Sequence, residues 1–374
     1  MSATHARLVG AALLVLCLLS GAAAMSATGL GDRGSVVLLD ATSGRELARL
    51  SANGAVVAAI ADGRGGWFVG GSFSRLGGRD RVAIAHLLPS GAVDSAWRAS
   101  IGSASGRRVA VYSLARDGTR LFVAGPFGRV GGLQRPGLAA LDTRSGAVLR
   151  QWAPKPRLWA DVEALAVVGG RLLVARQSSY PVPGITAIRI TTATVDRHWN
   201  PRLLLIGDAG SVNTLLPARG RVYVTGSFHV MGLPRNGLVA LDANSGKPDR
   251  RWAPQAANCS VCNGFAVVYG VAATPRRIYV SGAFSRIDGL LRDGIAALDP
   301  YSGAVDRGWK PTRGDGDVFR LAVAGSRLYL GGGSGLSALD EGSGAALHLP
   351  PNHAPGEVLT LSSSGRQLLV AGRT

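Results

Sequence analysis

The sequence predicts an all-β fold, specifically a seven-bladed β-propeller with four-stranded blades, closed by pairing of N- and C-terminal half-blades. Three observations predict it. Short apolar runs recur at intervals of roughly 40 to 56 residues, the spacing of blade-sized repeats. Each run leads into the same turn and, in most copies, the same Trp. The two ends of the repeating region are complementary halves of one unit. No helical period of 3.6 competes with the short strands that these runs imply.

The first pattern is an apolar run ending in Gly, then a small residue and Phe. It reads Val69-Gly-Gly71-Ser-Phe73, Val123-Ala-Gly125-Pro-Phe127, Val224-Thr-Gly226-Ser-Phe228 and Val280-Ser-Gly282-Ala-Phe284, with degenerate copies ending at Arg176, Gly332 and Gly372. The second is Leu-Asp followed by a turn: Leu39-Asp40 to Gly44, Leu141-Asp142 to Gly146, Leu241-Asp242 to Gly246, Leu298-Asp299 to Gly303 and Leu339-Asp340 to Gly344. Asp and Ser can cap such a turn, and Gly supplies its positive φ. Weaker copies lie at Leu87 to Gly91 and Ile190 to Thr194. The third pattern is a Trp shortly after the turn (Trp97, Trp152, Trp199, Trp252, Trp309), four of them two residues before a Pro. A periodic aromatic fills one packing site per repeat and needs no cofactor to explain it.

Residues 35 to 50 supply only the second half of a unit, and residues 357 to 374 only the first half. Paired, they complete a seventh blade and hide the sheet edges that would otherwise invite aggregation. In the unit after Arg108 the expected strands are 109–115, 120–124, 137–141 and 147–152.

Taken together, Gly-x-Phe, then Gly and Arg, then Leu-Asp-x-x-Ser-Gly, then Trp-x-Pro resembles the delta-60 repeat β-propeller family of exported bacterial proteins. The resemblance covers nearly all of the chain beyond its N-terminal segment and is fullest in the third, fifth and sixth units. It implies the fold rather than an activity. The fourth unit departs from it at Arg176-Gln-Ser-Ser-Tyr180-Pro-Val-Pro183.

The N-terminus has a short basic start with Arg7, an apolar run from Leu8 to Leu19, and small residues up to Ala24. Such a run rises about 18 Å as a helix, short of the roughly 30 Å of a hydrocarbon core. Residues 1–24 are therefore expected to be a signal peptide, 25–34 a short lead, and 35–374 a single propeller domain, secreted or extracytoplasmic. The alternative is an N-terminal membrane anchor. No later segment is long and apolar enough to span a membrane.

The chain has 374 residues and a formal net charge of +18, and only three of its 41 basic residues are Lys (Lys155, Lys247, Lys310). Arginine's planar fork suits phosphate and carboxylate. Loops joining the second and third strands share a face with the loops between blades, the usual binding surface of such rings. On that face Arg75, Arg129 and Arg286 follow the conserved-spacing Phe by two residues, and Arg107, Arg157, Arg202 and Arg313 lie between blades. These seven are the expected ligand-binding residues. Arg81, Arg135, Arg235 and Arg292 close the second-to-third loops in register, which suggests a structural task such as bonding loop carbonyls.

The expected function is an exported, non-catalytic binding or scaffolding module for an anionic glycan, a surface polymer or another exported protein. Nucleic acid does not suit an exported protein as a physiological partner. Cys259 and Cys262 are expected to form a disulfide in an oxidising compartment, worth about 2 kcal/mol for so short a loop. No cofactor and no metal are expected, because metal-ligand spacing and phosphate-cradling loops are missing.

The rival reading is a propeller enzyme. The Leu-Asp-x-x-Ser-Gly turn followed by Trp resembles the docking repeats of quinoprotein dehydrogenases, but Trp comes six residues after the Gly here, where those repeats use about four. A carboxylate-dependent glycan-acting enzyme would draw on Asp161, Glu163, Asp208, Asp315, Asp317 or Glu357.

Overall fold

The computed structural model describes residues 33–103, 106, 108–155, 162–176, 184–201, 203–205, 210–233, 236–257, 266–312, 318–350 and 354–374. The expected signal peptide lies outside these residues, as do Cys259 and Cys262. Among the described residues there are strands, turns and no helix, arranged as many small antiparallel sheets.

One unit illustrates the rest. Ser113–Asp117 pairs with Arg120–Ala124, which pairs with Leu138–Asp142. An isolated bridge between Leu141 and Val148 adds the fourth rung. The first strand starts four residues later than expected; ahead of it Tyr112 still donates to the Ala124 carbonyl, while Val111 gives its N–H to Gly71 of the preceding sheet. The same order recurs in Val56–Ala61, Trp67–Gly71 and Ile84–Leu87, and in Val162–Val168, Arg171–Arg176, Ile185–Arg189 and Thr194–Val195. It recurs again in the sheets that begin with Ser211–Ala218, Val267–Ala273 and Val318–Ala324.

Burial along the strands reflects this layering. The second strand is buried along its length, as in Trp67–Gly71, because neighbouring sheets cover both of its faces. An outer strand such as Glu46–Ala52 alternates between partly buried and exposed positions.

The last sheet joins the two ends of the described chain. Its order is Glu357–Ser364, Gln367–Arg373, Gly34–Asp40 and Glu46–Ala52. Gly34 opposes Arg373 and Asp40 opposes Gln367 in an unbroken antiparallel register.

The apolar cores lie between sheets rather than within them. Phe68 and Trp97 pack with Leu121 and Leu141 of the next sheet. Val36 and Leu369 of the terminal sheet pack with Trp67 and Val69, while Val37 and Val370 pack on its other side with Ala322 and Tyr329. Four of the five repeat Trp lie against an aromatic ring of their own sheet's second strand: Phe68–Trp97 at 5.4 Å, Phe122–Trp152 at 4.9 Å, Tyr223–Trp252 at 5.1 Å and Tyr279–Trp309 at 5.3 Å. Trp199 and Trp252 donate their indole N–H to the carbonyls of Ala243 and Asp299 in the following sheet.

The turn after Leu-Asp meets this Trp segment. Asp242 Oδ1 accepts from the N–H of Asn244 and Ser245 and from the Ser245 hydroxyl, which holds its carboxyl below the usual range. Gly246 has φ +74°, and a Cβ there would lie 2.7 Å from the Trp199 ring. The Gly is required both by backbone conformation and by this close approach.

Candidate functional site

Two groups of residues build the loop-bearing face: hairpins between the second and third strands, and the first turns of the inner strands.

The hairpins are small sheets in their own right. Arg75–Leu76 pairs with Arg79–Asp80, Arg129–Val130 with Leu133–Gln134, and Arg286–Ile287 with Leu290–Leu291. Their two-residue turns are Gly77-Gly78, Gly131-Gly132 and Asp288-Gly289, all at positive φ, as a tight hairpin with the native twist demands. Each hairpin then pairs with the segment leaving the preceding sheet: Leu76 with Ala52, Arg129 with Gly102, and Arg286 with Ala257.

Arg75, Arg129 and Arg286 occupy the same place in these hairpins. Each donates to a carbonyl three residues on: Gly78 at 3.2 Å, Gly132 at 3.3 Å and Gly289 at 2.6 Å. All three are exposed. Arg75 also pairs with Asp80 at 3.2 Å. At the corresponding places Arg129 and Arg286 face Gln134 and Leu291, so no acid sits opposite them.

The arginines that close the hairpins point elsewhere. Arg81 donates to the carbonyls of Asp80 (2.8 Å) and Asp94 (2.9 Å). Arg135 does the same for Gln134 and Arg150, both at 2.8 Å, and Arg292 for Leu291 (2.9 Å) and Asp306 (3.2 Å). Each fork ties its hairpin to the segment just before the Trp. Arg107, Arg157, Arg202, Arg235 and Arg313 lie outside the described residues, as do Asp161, Asp208, Asp315 and Asp317.

Six of the inner strands carry a β-bulge near their starts. The inserted residues are Glu163, Asn213, Tyr269, Phe319, Leu359 and Val57, all partly buried. Side chains around the bulges stitch several inner strands to the next. Glu163 Oε2 accepts from the N–H of Val212 at 3.0 Å. Asn213 Nδ2 donates to the carbonyl of Val268, and Thr214 Oγ1 to that of Tyr269, both at 3.1 Å. The Tyr269 and Phe319 rings meet edge-on at 5.2 Å.

Arg320 stands in the same place as Thr214 and makes the same contact. Its Nε donates to the carbonyl of Leu359 at 2.9 Å, and its Nη1 to that of Phe319 at 3.2 Å. The positions equivalent to Arg320 elsewhere hold Ala58, Ala164, Thr214, Gly270 and Thr360. Burial pushes the Arg320 guanidinium below its ordinary pKa. Of the inner-strand acids considered for catalysis, Glu163 is engaged with the Val212 backbone and Glu357 lies 3.7 Å from Arg373.

A third cluster has no counterpart among the expected residues. His86 is held between two carboxylates, with Nδ1 2.9 Å from Asp94 and Nε2 3.0 Å from Asp62. Asp94 also accepts from the N–H of Ala96 and Trp97. The equivalent acid pairs with an Arg in other units: Asp196 with Arg171 at 2.8 Å and Asp306 with Arg277 at 2.8 Å. The His86 cluster is thus one version of a recurring clamp before the Trp. No group of three or more potential metal ligands occurs among the described residues.

The coordinates are similar to several solved structures. The extracellular domain of the one-component system BT4673 from B. thetaiotaomicron aligns at 12% identity with a TM-score of 0.56, over 86% of this chain and 38% of that one. The WD40 beta propeller domain of Doa1 aligns at 11% identity with a TM-score of 0.51, over 90% and 96% of the two chains. The computationally designed Ika8 protein aligns at 11% identity with a TM-score of 0.50, over 86% and 96%. At such identities the likeness is one of fold. No curated protein matches the sequence. Residues 62–96 match the family model described as a domain of unknown function (DUF5122) beta-propeller, and that match fits the delta-60 type of propeller repeat that the sequence resembles.

Proposed function

We propose that the chain is an exported, seven-bladed binding module whose ligand is anionic and docks on the hairpin face. The ring reading rests on two supports. The inner strands touch in succession from Val56–Ala61 onward, and Glu357–Ser364 touches Val56–Ala61 in turn. The terminal sheet takes strands from both ends of the described chain. On this reading residues 35–374 form one propeller domain, preceded by a lead over 25–34 and a signal peptide over 1–24. The disulfide between Cys259 and Cys262 belongs to the same proposal.

The binding reading rests chiefly on one observation: Arg129 and Arg286 are exposed, held by their own hairpin turns and opposed by no acid. A guanidinium whose position is already fixed loses little freedom on meeting a ligand. It can also present two parallel N–H groups to a carboxylate or phosphate. An acidic glycan or surface polymer matches that chemistry and the compartment implied by the N-terminus.

The test is retention on a column of phosphorylated or acidic glycan. Wild-type protein is expected to be retained at physiological salt. The triple substitution of Arg75, Arg129 and Arg286 by Ala is expected to elute at clearly lower salt with an unchanged circular dichroism spectrum. Unchanged retention refutes the reading.

A further inference from the structure

We propose that Arg320 anchors a separate oxyanion site on the inner strands, taking the carboxylate or phosphate group of a ligand that enters from the hairpin face. The site shares that face with the proposed function but uses none of its arginines.

The first support is position. Arg320 is the third residue of Val318–Ala324 and directly follows the bulge at Phe319, at the end of the strand where Val318 opposes Gly332. It therefore lies just inside the hairpin face. Five equivalent positions hold Ala, Gly or Thr, so the packing there is satisfied by small side chains. Thr214 makes the corresponding contact to the next strand with a hydroxyl alone. A hydroxyl suffices for that task, and the fork of Arg320 exceeds it.

The second support is charge. Among the described residues Arg320 bonds two neutral carbonyls and no acid, and its Nη2 donates to none of them. Arg320 is half-buried, and burial disfavours its charged form. The acid on the neighbouring strand, Glu357, lies against Arg373. A cation withdrawn from water without a counter-charge is unfavourable, and an incoming oxyanion removes that penalty. The free edge of the fork supplies the geometry for one.

The experiment is isothermal titration calorimetry of the full chain with inorganic phosphate and, separately, with acetate. Wild type is expected to bind at least one of them saturably, and the preferred anion identifies a phosphate or a carboxylate ligand. Arg320→Thr installs the residue found at positions 214 and 360. It is expected to weaken binding at least tenfold while melting no lower than wild type in anion-free buffer. The triple hairpin variant is expected to bind phosphate within threefold of wild type, which separates this site from the glycan surface. If Arg320→Thr does not fold, Arg320→Lys replaces it, with an expected loss of three- to tenfold because a point charge cannot form the fork. Absence of saturable binding to wild type, or unchanged affinity in the substituted protein, overturns the proposal.

Discussion

The hydroxyl of Tyr329 donates to the carbonyl of Ala41, 2.9 Å away and 288 positions earlier in the sequence. The same bond recurs between Tyr279 and Glu341 at 2.9 Å and between Tyr223 and Pro300 at 3.1 Å. In each case a second-strand Tyr reaches the residue after the turn Asp of the following sheet. The bond between sheets distant in sequence is thus the same as the bond between consecutive ones.

Tyr329→Phe leaves the ring packed but strands the Ala41 carbonyl, and Tyr329 is fully buried. The expected cost is about 1 to 2 kcal/mol in urea unfolding. An unchanged midpoint would show that this junction contributes nothing to stability.

Asp196 is the clearest pH-sensitive group. Hydrogen bonds from Arg171 and Arg189 hold its carboxyl at about 2, against 3.8 for the free side chain. Because the folded value is the lower one, the stabilisation is present in full above the unfolded pKa. It fades as pH falls from about 4 to about 2. Asp196→Asn is expected to lose about 1 to 2 kcal/mol at neutral pH, less than the full shift implies because half-exposed Arg189 is screened by solvent. Its stability should also change less than wild type's between pH 4 and 2. Parallel curves for the two proteins would contradict this assignment.

Gly220 and Gly246 have nearly the same backbone, φ +70° and φ +74°, but different surroundings. A Cβ at Gly220 meets nothing within 4 Å, whereas one at Gly246 meets the Trp199 ring at 2.7 Å. Gly220→Ala should cost about 1 kcal/mol from backbone strain alone. Gly246→Ala adds overpacking and should cost about 3 kcal/mol. Thermal melts of the pair isolate the contact, and equal losses would mean that the turn moves aside freely.

Arg81 and Arg129 test the division between structural and ligand-facing arginines. Arg81 is buried and bridges two carbonyls, so Arg81→Lys should lose about 1 to 2 kcal/mol as the fork is lost. Exposed Arg129→Ala should stay within about 0.5 kcal/mol of wild type. The assignment fails if denaturant titration ranks them the other way.

The repeat was legible because its marks are local: Leu-Asp-x-x-Ser-Gly caps its own turn, and Trp fills a fixed place beside a strand aromatic. Arg81, Arg135 and Arg292 recur in register and each donates to two loop carbonyls. The hairpins carrying Arg75 and Arg129, turned by Gly77-Gly78 and Gly131-Gly132, were not recognised in the sequence. Their flanking strands of two residues are too short to display alternation, so the sequence reads there as plain loop. The bulges were not legible at all. One inserted residue, such as Phe319, changes which side chains share a face without altering composition. Arg320 therefore could not be singled out among the other arginines. The clamp on His86 escaped for another reason: Asp62, His86 and Asp94 meet through strand pairing across widely separated positions.

The antiparallel seam between Gly34–Asp40 and Gln367–Arg373 sets an order of events during synthesis. One edge of Gly34–Asp40 must wait until Gln367–Arg373 is made, and until then its bare amides and carbonyls are open to any passing strand. Whatever handles the nascent chain must shield that edge until Gln367–Arg373 has been made.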